Sequence, residues 1–475
     1  SMVGPGRVLK SALNNSNTTR GVSEAMDLVW TVLTALVTLG ILVGFHEYGH
    51  FWVARRCGVK VLRFSIGFGT PLWRTVDAEG TEYTVSAIPL GGYVRMLDER
   101  EGDVDSSELH RAFNRQSVWS RIAIVSAGPL ANFLLAIFVF WVLFLSGEKG
   151  MVPIVDAIEP DSPAYFAGIE VGQEITSIDG RSTPTINALS FRLLERLGDS
   201  GVIELGARYP GSEVQYSSNA PIDRWLVGVE APNPIAGMGI SLAFPPVLPI
   251  VEETVEDSPA AAAGFLPGDR IVSADNEVMA TWSDWVDYVR SKPGQSMAVV
   301  VERDKLSLNL TLTPVEKLVN GEAIGSVGMA VRAPEIPDES LRVFDRGPIE
   351  ALLAALQRTF DLIVFTFESI LKMLQGLIST ANLSGPITIA QVAASSAESG
   401  WQSWLGFLAL LSISLGALNL LPIPILDGGH LLFYTIEALT GRAVPERIQG
   451  WGYQMGLIMV MSLMAFALYN DFSRL

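Results

Sequence analysis

Leu28-Val-Trp-Thr-Val-Leu-Thr-Ala-Leu-Val-Thr-Leu-Gly-Ile-Leu-Val-Gly-Phe-His-Glu-Tyr-Gly-His50 makes two statements in one stretch. From Leu28 to Phe45 no residue is charged, over about the 20 residues that a bilayer requires of a helix. His46, Glu47 and His50 follow without a break, in the spacing HExxH. On a helix, residues four apart share a face, so both imidazoles can reach one Zn2+ while Glu47 beside them meets a metal-bound water. Two satisfied surface histidines just past a helix end are the plain alternative. Ionisable groups continuing an apolar span are expensive near lipid, which favours function.

Three more stretches lack charge over a comparable length: Ile122 to Leu145, Ser403 to Leu426 and Trp451 to Tyr469. With 49% hydrophobic and only 17% charged residues in 475, the surplus apolar surface belongs in lipid. The expected architecture is therefore a polytopic α-helical membrane protein with four transmembrane helices. A signal peptide is the rival reading of the first stretch, but no small-residue cleavage site follows it. Residues 1–25, rich in Asn, Ser and Thr, have no apolar period. They read as a disordered or foreign leader ahead of a native start at Met26.

Arg55, Arg56, Lys60, Arg63, Arg74, Arg95, Arg111, Arg115 and Arg121 collect between the first two spans, which by the positive-inside rule makes that connection cytoplasmic. The long 147–400 region is then periplasmic, and both termini are too. The net charge of −17 excludes a nucleic-acid partner, which needs a basic surface. The single cysteine, Cys57, has no internal disulfide partner and reads as a packed thiol.

The chain divides into the first span with its HExxH (26–60), a cytoplasmic-side β-hairpin element with a loop (61–117), and the second span (118–146). Within 61–96, apolar and polar residues alternate between Gly67, Gly69, Pro71, Gly80, Gly91 and Gly92, as in short strands joined by turns. In the outer region, Asp161 to Gly180 aligns without a gap on Asp257 to Asn276, with ten of twenty positions identical. This is an internal repeat of a roughly 90-residue domain. Its SPA…AG…GD pattern is similar to PDZ domains, so two tandem periplasmic PDZ domains (α+β) are expected at 150–235 and 236–332. The second copy fits better, with Gly268-Asp269 where the first has Gly172-Gln173. PDZ domains bind extended segments by strand addition; a rigid spacer is the alternative.

From Pro348 to Leu377 a helical apolar period is interrupted by Arg358, Asp361, Glu368 and Lys372. Within the juxtamembrane region 345–385 it predicts an amphipathic helix, lying on the membrane or packed on the tandem. The third span and its motif (401–429), a cytoplasmic loop (430–450) and the fourth span (451–475) complete the chain.

Two histidines leave a tetrahedral zinc one protein ligand short. A candidate lies in Asn419-Leu-Leu-Pro-Ile-Pro-Ile-Leu-Asp-Gly428, where Pro422 and Pro424 cannot continue a helix. Asp427 ends the third span on the membrane face where His46 ends the first. A turn-forming Asp before Gly-Gly is its other reading. His110 reads as solvated, and His430 as a residue that could orient Asp427.

Taken together, His46-Glu-Tyr-Gly-His50, Gly67-Phe-Gly69, Ser126-Ala-Gly-Pro-Leu-Ala-Asn-Phe133, the tandem repeat, Asn382-Leu-Ser-Gly-Pro386 and Asn419 to Gly428 resemble the site-2 protease family of intramembrane zinc metalloproteases. The resemblance implies one Zn2+ held by His46, His50 and Asp427, with Glu47 as general base. It implies substrate binding by Asn419 with Pro422 and Pro424, and by the Gly67, Phe68, Gly69 hairpin. It implies an inner-membrane location and a single-pass membrane substrate. That substrate would be an anti-sigma factor trimmed beforehand by another protease, in an envelope stress response; signal-peptide remnants would be others. Ser414 stands where relatives can carry a second asparagine, which removes a two-asparagine clamp.

Overall fold

The computed structural model describes residues 6–100, 102–319, 322–334 and 336–474, without the side chains of 6–25, 89, 90 and 319. The reading of 1–25 as a foreign leader therefore lies outside the described side chains. Among the described residues, four helices are long and apolar enough to cross a membrane: Met26–Arg56, Val118–Leu145, Trp401–Asn419 and Glu446–Arg474.

The second of these is the centre of the bundle. Its Leu135, Ala136, Val139 and Phe140 pack on Leu42 of the first span, on Leu408, Ala409 and Ile413 of the third, and on Ala355 and Leu362 of the juxtamembrane helix. In lipid no hydrophobic force separates helix faces from solvent, so close packing of small residues does the work. Gly49 abuts Ala127, where a Cβ would fall 2.8 Å from the Ala131 Cβ, and Gly416 abuts Phe133 at 2.7 Å in the same sense. By contrast Leu28, Val29, Val32, Leu33 and Val37 of the first span face outward, as a lipid-exposed stripe must.

The third apolar stretch is shorter than its sequence suggests. The helix Trp401–Asn419 stops at 19 residues, about 28 Å at 1.5 Å per residue. The chain then turns through Leu420 to Leu426 and a new helix runs over Asp427–Thr440. The span expected to continue to Leu426, and the loop expected over 430–450, are thus corrected to helix, loop and helix. The cause is local: Pro422 and Pro424 remove two amide donors, and Gly428 and Gly429 let the loop fold back on the new helix. A Cβ at 429 would stand 2.6 Å from the Pro424 nitrogen.

On the side where the first span ends, strands Val61–Val76 and Glu82–Met96 form the expected antiparallel hairpin. Each is bent. Arg63 to Ile66 pairs on one side with Glu82 to Val85 and on the other with Gly92 to Arg95, while Pro71 to Val76 pairs with Glu82 to Ser86. The hairpin thereby becomes four short runs in the order 92–96, 61–66, 82–86 and 71–76, with 92–96 at an edge.

Between the Leu145 end of the second span and the Trp401 end of the third lie two modules of one topology. In the first, strands Arg181–Ser182, Glu174–Ile178, Gly201–Arg208 and Tyr216–Ile222 form a four-stranded sheet in that order. In the second, Glu277–Val278, Arg270–Ala274, Met297–Arg303 and Leu306–Leu312 repeat it. Helix Ile186–Leu194 recurs as Trp282–Arg290. Asp161 and Asp257, with φ of 61° and 60°, hold the same left-handed position ahead of the capping residues Ser162 and Ser258. Gln173 and Asp269 also play one part: each accepts the amide three residues earlier, Glu170 at 3.1 Å and Leu266 at 2.9 Å. The departure noted in the sequence is thus conservative in its bonding.

The juxtamembrane helix, Pro348–Leu374, packs on the first module, one of the two expected placements, and also on the second span. Trp141 of the second span donates to the Pro348 carbonyl at 2.9 Å. Arg192 of the first module pairs with Asp361 at 2.6 Å, and Lys372 donates to the carbonyls of Glu195 and Leu197.

Candidate metal centre

His46 and His50 lie one turn apart on the first span, both buried. The His50 Nδ1–H donates to the Ile124 carbonyl of the second span at 2.8 Å. That fixes the proton on Nδ1 and leaves the Nε2 lone pair free. His46 Nδ1 lies 3.2 Å from the buried amide of Asn132, whose Oδ1 otherwise has no partner. With the amide turned so that Oδ1 faces Nδ1–H, both groups are satisfied and His46 also presents its Nε2.

Asp427 opens the helix Asp427–Thr440 and brings its Oδ2 3.1 Å from His46 Nε2 and 3.4 Å from His50 Nε2. The two Nε2 atoms are 3.3 Å apart. Bonds of about 2.0–2.1 Å at the tetrahedral angle put any two zinc ligands about 3.3 Å apart, so these three atoms have the spacing of one face of a zinc tetrahedron. Asp427 Oδ2 is buried and, among the described residues, has no hydrogen-bond donor. Three electron pairs facing one another without a proton between them repel unless a cation stands among them. The donor set fits zinc on that ground.

Glu47 follows His46 and faces the same cavity, of about 400 Å3, which Val94 also lines. Gly92 makes this approach feasible: a Cβ there would stand 3.0 Å from Glu47 Cγ and 2.7 Å from the Ser65 carbonyl. The hairpin edge 92–96 therefore borders the cavity, and Gly92, Tyr93, Val94 and Met96 line it. Asn419 lines it as well.

Other expected positions lie elsewhere. Gly67, Phe68 and Gly69 sit at the bend of the hairpin and do not line the cavity; Phe68 reaches it only by stacking on Tyr93, ring centroids 6.0 Å apart. Pro424 packs on Gly452 and Gly456 of the fourth span, and neither it nor Pro422 lines the cavity. His430 does line it, but its Nδ1 bonds the Tyr453 hydroxyl at 3.3 Å rather than Asp427. His110 is exposed in a single 3-10 turn. Asn132, Gly128 and the 92–96 edge were not singled out by spacing, although Gly128 and Asn132 lie inside the stretch Ser126 to Phe133.

The chain matches the sequence profile of "Peptidase family M50" over residues 34–463. It belongs to that family. This M50 peptidase is 43% identical over 450 residues to the Regulator of sigma-E protease RseP of Salmonella typhimurium, covering 95% of this chain and 100% of the relative. It is 42% identical over 451 residues to Protease RseP of Yersinia pestis, at the same coverage. Among solved structures, the PDZ domain of an SdrC-like protein from Listeria monocytogenes aligns at 18% identity and a TM-score of 0.16, covering 19% of this chain and 92% of that one. As an M50 peptidase the protein is a zinc-dependent metalloendopeptidase of the site-2 type, and its apolar helices belong to an inner-membrane protein.

Proposed function

We propose that the protein is an intramembrane endopeptidase that cuts the transmembrane segments of single-pass membrane proteins, using one zinc ion held by His46, His50 and Asp427. The observation that carries this reading is the tetrahedral spacing of those three atoms at the end of a membrane span, with Glu47 beside them. When bound, zinc acidifies a water and polarises a carbonyl.

The protein's own groups supply the rest. Glu47 takes the proton of the attacking water and passes it to the departing amine, from a place in the cavity wall beside Val94. The Asn419 side chain faces the same cavity and donates toward the oxygen on which charge develops. A helical substrate hides its carbonyls in its own hydrogen bonds, so it must unwind before attack. The edge 92–96 offers the unwound segment new partners, which matters because unpaired backbone groups are costly in hydrocarbon. The prolines 422 and 424 shape the loop that carries Asp427 rather than touch substrate.

By the charge rule, the metal lies toward the cytoplasm and the two modules, read as PDZ domains, are periplasmic. They stand over the route by which a substrate with a bulky outer part would approach. We read them as a size filter that admits a trimmed substrate, such as an anti-sigma factor cut first by another protease. Signal-peptide remnants, already small, would pass.

The test is to map the cut. Purified protein with zinc should cleave a trimmed single-span substrate inside or at the edge of its apolar segment, as read by mass spectrometry of the products. A cut confined to a soluble loop would overturn the intramembrane reading.

A further inference from the structure

The second span carries the metal site near Ile124 and Asn132 and a second cavity, of about 640 Å3, around Phe140 and Phe144. Some 15 residues separate the two, about 22 Å along a helix. The second cavity is therefore at the opposite membrane boundary, under the first module. Trp141 and Trp401 flank this level, as tryptophans do at a lipid headgroup layer.

Its walls differ in kind. Phe140, Phe144 and Leu410 form an apolar floor that belongs to the spans themselves. The upper wall contains Lys149, Arg192, Arg346 and Arg358 against only Glu148 and Asp361. Arg192 is paired with Asp361 at 2.6 Å and Arg346 with Glu148 at 2.8 Å. Arg192 also pairs with Glu195 at 3.0 Å, so that among the described residues Lys149 and Arg358 are the lining cations without an ion pair, and Lys149 is exposed.

Arg358 is half-buried on the juxtamembrane helix. Among the described residues it has neither an ion pair nor a hydrogen bond. Its guanidinium lies over the Phe191 ring at 4.3 Å, and the Arg192 guanidinium faces the same ring at 5.4 Å. Burial first, and then the Arg192 charge, pull its pKa below the usual arginine value, and the more distant carboxylates of Glu148, Asp361 and Glu195 only partly oppose them. A guanidinium with five unused donors beside a second cation is an unfavourable arrangement unless an anion completes it. Guanidinium matches phosphate in a bidentate manner, and basic pockets between spans suit phospholipid headgroups.

We propose that this cavity binds one anionic phospholipid from the leaflet on the module side. Arg358 and Lys149 hold its phosphate, and Phe140, Phe144 and Leu410 line the path of an acyl chain. A free phosphate would satisfy the cations and leave the apolar floor bare, which is why the lipid is the better fit. Such a lipid joins the second span, the first module and the juxtamembrane helix at their common corner, and stabilises the state in which they meet.

The test uses the full chain in nanodiscs of phosphatidylcholine with a minor share of phosphatidylglycerol, followed by native mass spectrometry of retained lipid. Phosphatidylglycerol should be retained well above its bulk share. Arg358→Gln and Lys149→Gln should each lower that enrichment about fivefold, the effect of one lost cationic contact. Zinc content and cleavage of a detergent-solubilised substrate should stay as in the wild type. Lys149 is exposed, so its variant decides the matter if Arg358→Gln disturbs packing. The proposal is overturned if the wild type retains both lipids at their bulk ratio, or if Lys149→Gln keeps full enrichment. Displacement of the lipid by millimolar inorganic phosphate would instead identify a soluble-anion site and also overturn it.

Discussion

Gly128 of the second span lies directly against His50 of the first: a Cβ at 128 would stand 2.6 Å from His50 Cε1 and 2.9 Å from His46 Cε1. Gly128 thus controls how closely the rings of the two proposed ligands, His46 and His50, can approach the second span, although it offers no ligand atom itself. In an ordinary helix interior Gly→Ala gains about 1 kcal/mol. Gly128→Ala should instead displace both imidazoles, so zinc content by elemental analysis falls sharply and cleavage falls with it, while the helical signal in circular dichroism is kept. Full zinc occupancy in this variant would mean that the rings have room the structure denies them.

Glu47→Gln keeps the size of the side chain but removes the proposed base. We expect zinc to remain stoichiometric and cleavage of a single-span substrate to drop about 10²–10⁴-fold, the usual range for a positioned base. Near-wild-type turnover with bound zinc would assign the proton transfer to another group.

Asp427→Ala removes one of the three proposed ligand atoms and leaves two facing imidazoles. Both zinc affinity and activity should fall together, and raising free zinc should restore only part of each. Wild-type affinity would put the third ligand elsewhere.

What could be read from the sequence depended on the range of the signal. HExxH is local: its spacing on one helix already puts His46 and His50 on one face, and the structure brings their Nε2 atoms within 3.3 Å. The module repeat is local too, and the offset between Asp161 and Asp257 carries through to the strands beginning at Gly201 and Met297. Asp427 was reachable only by membrane topology, because nothing in a lone Asp-Gly-Gly names its partner. The Gly92 to Met96 edge was not reachable at all. It is set by the bend at Gly67 to Gly69, which lets residues 61–66 pair on both sides, and alternation of apolar and polar residues cannot say which run ends at an edge. The end of the third span at Asn419 was obscured for another reason: Pro422, Pro424 and Leu426 are as uncharged as the helix they follow.

In the second module Asp269 is buried, paired with Arg303 at 2.7 Å and hydrogen-bonded by the Leu266 amide. Burial alone would raise its pKa, but the Arg303 guanidinium and that amide outweigh it and hold the carboxyl below its ordinary value. A depressed folded-state pKa gives stability that is fully present above the unfolded pKa of about 3.9 and lost as pH falls through the folded one. Asp269→Asn should therefore cost on the order of 2 kcal/mol at neutral pH. In thermal melts of the detergent-solubilised chain, the gap to wild type should close below about pH 4. A gap independent of pH would make the loss one of packing.

Deleting residues 155–330 with a short linker, all four spans retained, should allow an untrimmed single-span substrate to be cut while cleavage of the trimmed form persists. Undiminished discrimination in the deletion protein would move selection to the spans or to the helix Pro348–Leu374.

The bent hairpin has one last consequence. A segment that joins the run Gly92 to Met96 does so as a strand, whatever it was in the bilayer, and a strand turns successive side chains to opposite sides. On the proposed pairing with the hairpin edge, the enzyme would meet a former helix in a two-beat rhythm. Positions two apart around the scissile bond face the same wall, so a substitution scan of a cleaved segment should show tolerance alternating residue by residue, with the helical rhythm of three to four left behind in the lipid.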